Sequence, residues 1–172
     1  MKTEYLLNKE VKHVLAALTP SNQLVVRVCL HTGLRIGDVV ALRTEQLARQ
    51  FTVREAKTKK PRKVGLPDEL LFEIKAQAGS EWAFPGRVEG QHRTRQAVWK
   101  DVKRAAKAFR LPQNVAPHSF RKVYAVELLN KYGDLERVKR ALNHSNLEIT
   151  MIYAMADKLL TAKRGRKKGL AA

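Results

Sequence analysis

Apolar residues recur at helical spacing along most of this chain. Val11, Val14 and Leu18 mark a first helix over residues 8–18. Thr19-Pro20 is a start signal, a capping hydroxyl followed by proline at the first helical position. The helix it opens carries Leu24, Val25, Val28, Cys29 and Leu30 and should stop near Gly33. A short segment over 36–42 follows at once, which leaves Arg35 at a break between helices, where a side chain can project into a cleft. The period then changes. Residues 51–53 and 63–66 are short strand-like runs on either side of a polar, basic turn over 57–62, and they predict a small β-hairpin or ribbon.

Pro67 opens a helix through Leu70, Leu71 and Ile74 that ends before Gly79-Ser80. Residues 94–109 are cleanly amphipathic. Val98, Val102, Ala105, Ala106 and Phe109 form the inner stripe, and Lys100, Lys103, Arg104 and Lys107 lie largely off it. Pro117 begins a helix that is apolar around most of its circumference, which predicts a central, buried position. Asp134 caps a shorter helix bearing Leu135, Val138 and Leu142. Ser145 and Glu148 have the spacing of a capping box, opening a helix that contains Tyr153. The fold class is mainly α with a small β-hairpin, an α+β arrangement. There is neither an internal repeat nor a linker, so one domain over residues 1–157 is expected, followed by a basic tail over 158–172.

Charge is what composition adds. Thirty-four Lys and Arg face sixteen Asp and Glu, a formal net charge of +18. Such a field favours polyanions through phosphate contacts and counterion release, with no sequence preference implied. A ribosomal, nucleoid or RNA-binding protein would share it, so charge does not separate a binder from an enzyme. Cys29 is the only cysteine, which excludes an intrachain disulfide and a cysteine-based zinc site. No apolar run is long enough to span a membrane, and the first residues lack the apolar stretch of a secretory signal.

Four segments could carry chemistry: His31 to Asp38, the turn at Lys57, Pro117 to Arg121, and Leu142-Asn143-His144 running on to Tyr153. Each has an ordinary explanation by itself. Arg35 could be a surface charge paired with Asp38 one turn later, and Tyr153 shares an apolar stripe with Ile149, Ile152 and Ala156. Together and in order, they resemble the signature of the tyrosine recombinases of the phage integrase family. That pattern is an Arg after a Thr-Gly-Leu-Arg helix break, a hairpin Lys, His-x-x-Arg, then a His and a Tyr. Arg35, Lys57, His118, Arg121, His144 and Tyr153 fill its six positions, and the resemblance covers about residues 20–156.

The resemblance implies a tyrosine recombinase catalytic-domain fold and a site-specific recombinase that cleaves and rejoins double-stranded DNA through a 3′-phosphotyrosyl link. Tyr153 is the implied nucleophile. Arg35, Arg121 and His144 are implied on the phosphate, His118 in proton handling at the nucleophile, and Lys57 as the acid for the departing 5′-oxygen. Lys59 and Lys60 are rivals for that last role, and Asp38 matches an acidic position supporting the first Arg. Lys59, Lys60, Arg62 and Arg95 are expected on DNA. His118, His144 and Cys29 do not form a metal set, and the implied chemistry needs no metal or cofactor. Also implied are a homotetramer on paired DNA sites, with C-terminal segments exchanged between neighbours, and a cytoplasmic setting in a bacterial cell or phage-infected host. The free domain is expected to be a monomer, because exchange of the basic tail without DNA gains too little contact area to offset its ordering cost. A non-catalytic DNA-binding protein keeping this fold is the alternative. Departures from the pattern are Asn143, where the family more often has Gly, and Lys122-Val123, where it often has His followed by Thr or Ser. Family members usually carry an N-terminal core-binding domain; fewer than twenty residues precede the matching region, so that domain is expected to be absent.

Overall fold

The structure, a computed structural model, describes residues 4–143. Among them are seven α-helices and one two-stranded antiparallel sheet. The helices are α1 (Asn8–Ala17), α2 (Pro20–Thr32), α3 (Ile36–Val40), α4 (Asp68–Gln77), α5 (Arg95–Ala108), α6 (Pro117–Tyr132) and α7 (Leu135–Ala141). The strands are β1 (Gln50–Arg54) and β2 (Pro61–Gly65), placed between α3 and α4. The chain divides into two compact units, the first ending at Tyr124 and the second beginning at Ala125.

The first unit is organised around α2. Leu24, Val25, Val26, Val28 and Cys29 are buried on it, packed with Val11 and Val14 of α1, Leu70 and Ile74 of α4, and Val98 and Val102 of α5. Phe120 and Val123 of α6 join the same core, as the apolar run after Pro117 predicts. At about 25 cal/mol per Å² of apolar area removed from water, burial of this kind is the main force holding the helices together. The start of α2 is tied to α5 by a carboxylate. Asp101 Oδ2 accepts from the Thr19 N–H (2.9 Å), the Thr19 hydroxyl (2.9 Å) and Asn22 Nδ2 (2.8 Å). Burial opposes ionisation of Asp101, yet these donors and Arg104 hold its pKa down to about 2. The Thr19 hydroxyl is therefore spent on α5 and does not cap α2.

Local signals account for the element ends. Gly33 closes α2 in the left-handed region (φ +64°), which glycine adopts with no steric cost. Thr94 caps α5 by accepting from the Ala97 N–H (3.1 Å), and Asp134 caps α7 by accepting from the amides of Glu136 and Arg137. One expectation fails. Phe109 lies just past the last turn of α5, at φ −93° and ψ 10°, and is 41% exposed. It leaves the buried stripe and stacks on His13, with ring centroids 4.6 Å apart. In the second unit Asn143 follows α7 at φ +48°, a left-handed position that glycine or asparagine fills most readily. That conformation explains why Asn143 can stand where the resembling pattern more often has Gly.

Candidate active site

The break after α2 creates the first part of the site. Gly33 turns the chain, Leu34 anchors in the core, and Arg35 precedes α3 with extended backbone (φ −70°, ψ 146°). The guanidinium of Arg35 reaches the hairpin, where Nη1 donates to Glu55 Oε2 at 2.7 Å. The hairpin end is tight. Glu55 N–H donates to the Lys60 carbonyl (3.1 Å), and Lys59, at φ +58°, returns an N–H to the Glu55 carbonyl (2.8 Å). Between them Ala56, Lys57 and Thr58 form the turn. Asp38 in the first turn of α3 fixes the base of that turn, its Oδ1 accepting from the Ala56 N–H at 2.8 Å.

The third part comes from α6. Pro117 starts the helix, which sets His118 and Arg121 three residues apart on one face. Arg121 is almost completely buried, and its Nη1 donates to the carbonyl of Gly33. The glycine turn that exposes Arg35 thus also seats Arg121. A cavity of about 510 Å³ opens where the three segments meet, and Arg35, Asp38, Lys57, Arg95, His118 and Arg121 line it. It is strongly cationic. His118, at its rim, has its pKa pushed down to about 4, first by desolvation and then by the charges of Arg121, Lys122, Arg35 and Lys57. Its imidazole is therefore neutral near pH 7 and able to accept a proton.

Four of the six expected catalytic residues, Arg35, Lys57, His118 and Arg121, meet at this cavity, with Arg95 beside them. His144 and Tyr153 lie outside the described residues. Lys59 and Lys60 are exposed at the hairpin end and do not line the cavity, whereas Lys57 does. Arg62 is corrected by the structure. It was expected on DNA, but β2 points it inward, where it is 7% exposed and donates to Glu55 Oε1 (3.2 Å) and to the carbonyls of Thr32 and Gly33. Asp38 is placed differently too: its carboxylate takes the hairpin backbone, and the carboxylate on Arg35 is Glu55.

Glu55 is the residue that sequence reasoning missed. It is fully buried, and its Oε2 also accepts from the Thr58 hydroxyl at 3.0 Å. Desolvation works against its charge, yet the hydrogen bonds from Thr58 and Arg35 and the charges of Arg35 and Arg121 leave its pKa below the ordinary value. A signal was present: Phe51 and Val53 point inward, and the same alternation carries Glu55 to the inner face.

Comparison with known proteins places this arrangement in a family. The phage integrase family matches residues 4–159. The integrase of Escherichia phage P2 is 30% identical over 156 residues, covering 89% of this chain and 43% of that protein. Tyrosine recombinase XerD of Pseudomonas aeruginosa is 31% identical over 142 residues, covering 75% of this chain and 47% of the relative. The chain thus spans about half the length of the curated relatives it matches. Among solved structures, the XerH site-specific recombinase bound to its palindromic difH substrate superposes with a TM-score of 0.73 at 21% identity, over 89% of this chain and 49% of that one. That likeness gives the fold, and with it the small hairpin and the helix break acquire a common origin: the chain belongs to the phage integrase family and has the fold of tyrosine recombinase catalytic domains.

Proposed function

We propose that this chain is the catalytic domain of a site-specific DNA recombinase, cleaving and rejoining duplex DNA through Tyr153. The observation that carries the reading is the convergence of Arg35, Lys57, Arg95, His118 and Arg121 on one cavity, in a chain of +18 net charge. A phosphodiester is the ligand such a set fits, since planar guanidiniums match phosphate oxygens in two-point contacts. Family membership and the DNA-bound recombinase among its structural neighbours support the same partner.

In this reading the Tyr153 phenol gives its proton to neutral His118 and its oxygen attacks the scissile phosphorus. The bond to the 5′-oxygen breaks, Lys57 protonates that oxygen, and the 3′-phosphate remains on the tyrosine. Rejoining reverses the steps with a 5′-hydroxyl as nucleophile. A tyrosine of ordinary pKa, about 10, needs this help near neutral pH. Arg35, Arg121 and His144 hold the non-bridging oxygens and offset the charge that develops there. Asp38 acts through the hairpin, holding the turn that carries Lys57, while Lys59, Lys60 and Arg95 contact the DNA backbone. Residues 1–157 form the catalytic domain and 158–172 a basic tail. The assembly is a homotetramer on paired sites and a monomer when free, working in the cytoplasm.

The test is covalent capture. The protein is incubated with a pool of random-sequence duplexes carrying a nick, so that a cleaved strand loses its short 5′-hydroxyl end. Wild type should give a protein–DNA adduct mapped to Tyr153, and Tyr153→Phe should give none. Binding without an adduct in wild type would favour a non-catalytic DNA-binding protein, and an adduct in Tyr153→Phe would remove the nucleophile assignment.

A further inference from the structure

We propose that Glu55 is a positioning residue of this site: its buried carboxylate sets the orientation of the Arg35 and Arg121 guanidiniums and ties them to the turn that carries Lys57. The proposal rests on the reading of the cavity as a phosphate site. Three guanidiniums gather on one carboxylate. Arg35 Nη1 is 2.7 Å from Oε2, Arg62 Nη1 is 3.2 Å from Oε1, and Arg121 Nη1 is 4.0 Å from Oε1. The three cations have different tasks. Arg62 is buried on the carbonyls of Thr32 and Gly33 and is a tether, whereas Arg35 and Arg121 line the cavity.

Without an internal anion these cations would repel one another in a region of low dielectric, and that repulsion would splay them. Glu55 supplies the anion from a fixed point. Its backbone is clamped by both hairpin hydrogen bonds, and its side chain is 0% exposed. It takes one edge of Arg35, while the same side chain, 24% exposed, keeps contact with the cavity. Arg121 Nη1, already donating to the Gly33 carbonyl, lies 4.0 Å from Oε1, so the carboxylate and that carbonyl together hold the inner edge of its guanidinium. Glu55 also stands two residues before Lys57, and the Thr58 hydroxyl on its Oε2 grips the turn from the other side. One carboxylate thus registers the phosphate clamp against the proton donor to the leaving group.

A scaffold residue and a positioning residue differ in which step they affect. Replacing Glu55 by Gln keeps the side-chain shape and removes the negative charge. The site becomes more cationic, so binding of DNA holds or strengthens while the chemical step slows. We expect Glu55→Gln to bind a nicked random-sequence duplex pool within about twofold of wild type or more tightly, and to form the Tyr153 adduct about tenfold or more slowly in single turnover. Nitrogen-15 NMR of the arginine side chains in the DNA-free protein should show faster guanidinium rotation at Arg35 and Arg121 in the variant. Equal loss of binding and rate, or unchanged rotation, overturns the proposal. Thr58→Val removes one donor to Oε2 at a partly exposed turn, so it tests the idea even where Glu55→Gln does not fold. Its adduct rate should fall about threefold or more with melting temperature and binding unchanged, and an unchanged rate there also sinks the proposal. A wild type that forms no adduct removes the cleavage reading alone, because the rotation measurement needs no DNA and then decides on Glu55 by itself.

Discussion

Gly33 joins the fold to the site, so Gly33→Ala is a searching perturbation. A methyl there meets two costs. The backbone sits at φ +64°, where an L-residue with a β-carbon is strained by about 1–2 kcal/mol. The new Cβ would also lie 2.2 Å from Cδ1 and 2.5 Å from Cε1 of Tyr124, positions on a ring and not at the end of a flexible chain. Relieving such an overlap by shifting ring or backbone costs about 1–3 kcal/mol. Alanine recovers about 0.4–1 kcal/mol by narrowing the unfolded ensemble. The net expectation is a loss of about 3 kcal/mol, with the extremes of these terms spanning about 1–4.5, read as a fall in melting temperature of roughly 6–12 °C for a chain of this size. Calorimetry or thermal circular dichroism measures it. Two controls divide the terms. Gly33→Asn tolerates the left-handed backbone but keeps the Cβ overlap, so it should cost about 1 kcal/mol less than alanine. In a Tyr124→Ala background the overlap is gone, and Gly33→Ala should cost only about 1 kcal/mol, the backbone share. Because the Gly33 carbonyl accepts from both Arg62 and Arg121, adduct formation should fall further than the stability loss explains. A melting temperature within 2 °C of wild type, or an alanine cost unchanged by Tyr124→Ala, would refute the reasoning.

Two further outcomes follow from the same geometry. His118 has a folded pKa of about 4, below its ordinary 6.5, so the fold favours the neutral ring; its contribution to stability is complete above pH 6.5 and is lost as pH falls through about 4. NMR titration of the free protein should find no His118 transition between about pH 6 and 8, and a midpoint at or above 6.5 would show that neither desolvation nor the surrounding cations act on it. The free domain should sediment as a monomer at every concentration, since exchange of a short tail gains too little contact area to offset its ordering cost; a concentration-independent tetramer without DNA would overturn this.

Helices were legible because their apolar spacing, start signals and caps agreed with one another. Thr94, Asp134 and Gly33 mark their boundaries in the sequence and act there in the structure. Phe109 shows the limit of period alone: the stripe predicts an inward position, but the helix ends at Ala108 and the ring turns away to His13. The hairpin shows a subtler failure. Side chains alternate faces along a strand, and the register pairs Val53 with Arg62 and Phe51 with Val64. Continued past its apolar residues, the same alternation puts Glu55 and Arg62 on the buried face. Reading charge as a surface property hid both, and cast Arg62 as a DNA contact. Two inward charges at successive positions of one hairpin face are costly unless they neutralise each other, and a buried pair implies further partners for what remains unbalanced. In this chain those partners are Arg35 and Arg121. A charge standing where the strand period demands an apolar residue therefore carries more information about a site than a charge where the period allows one. Applied to Glu55, that rule points from a single strand to both arginines of the cavity.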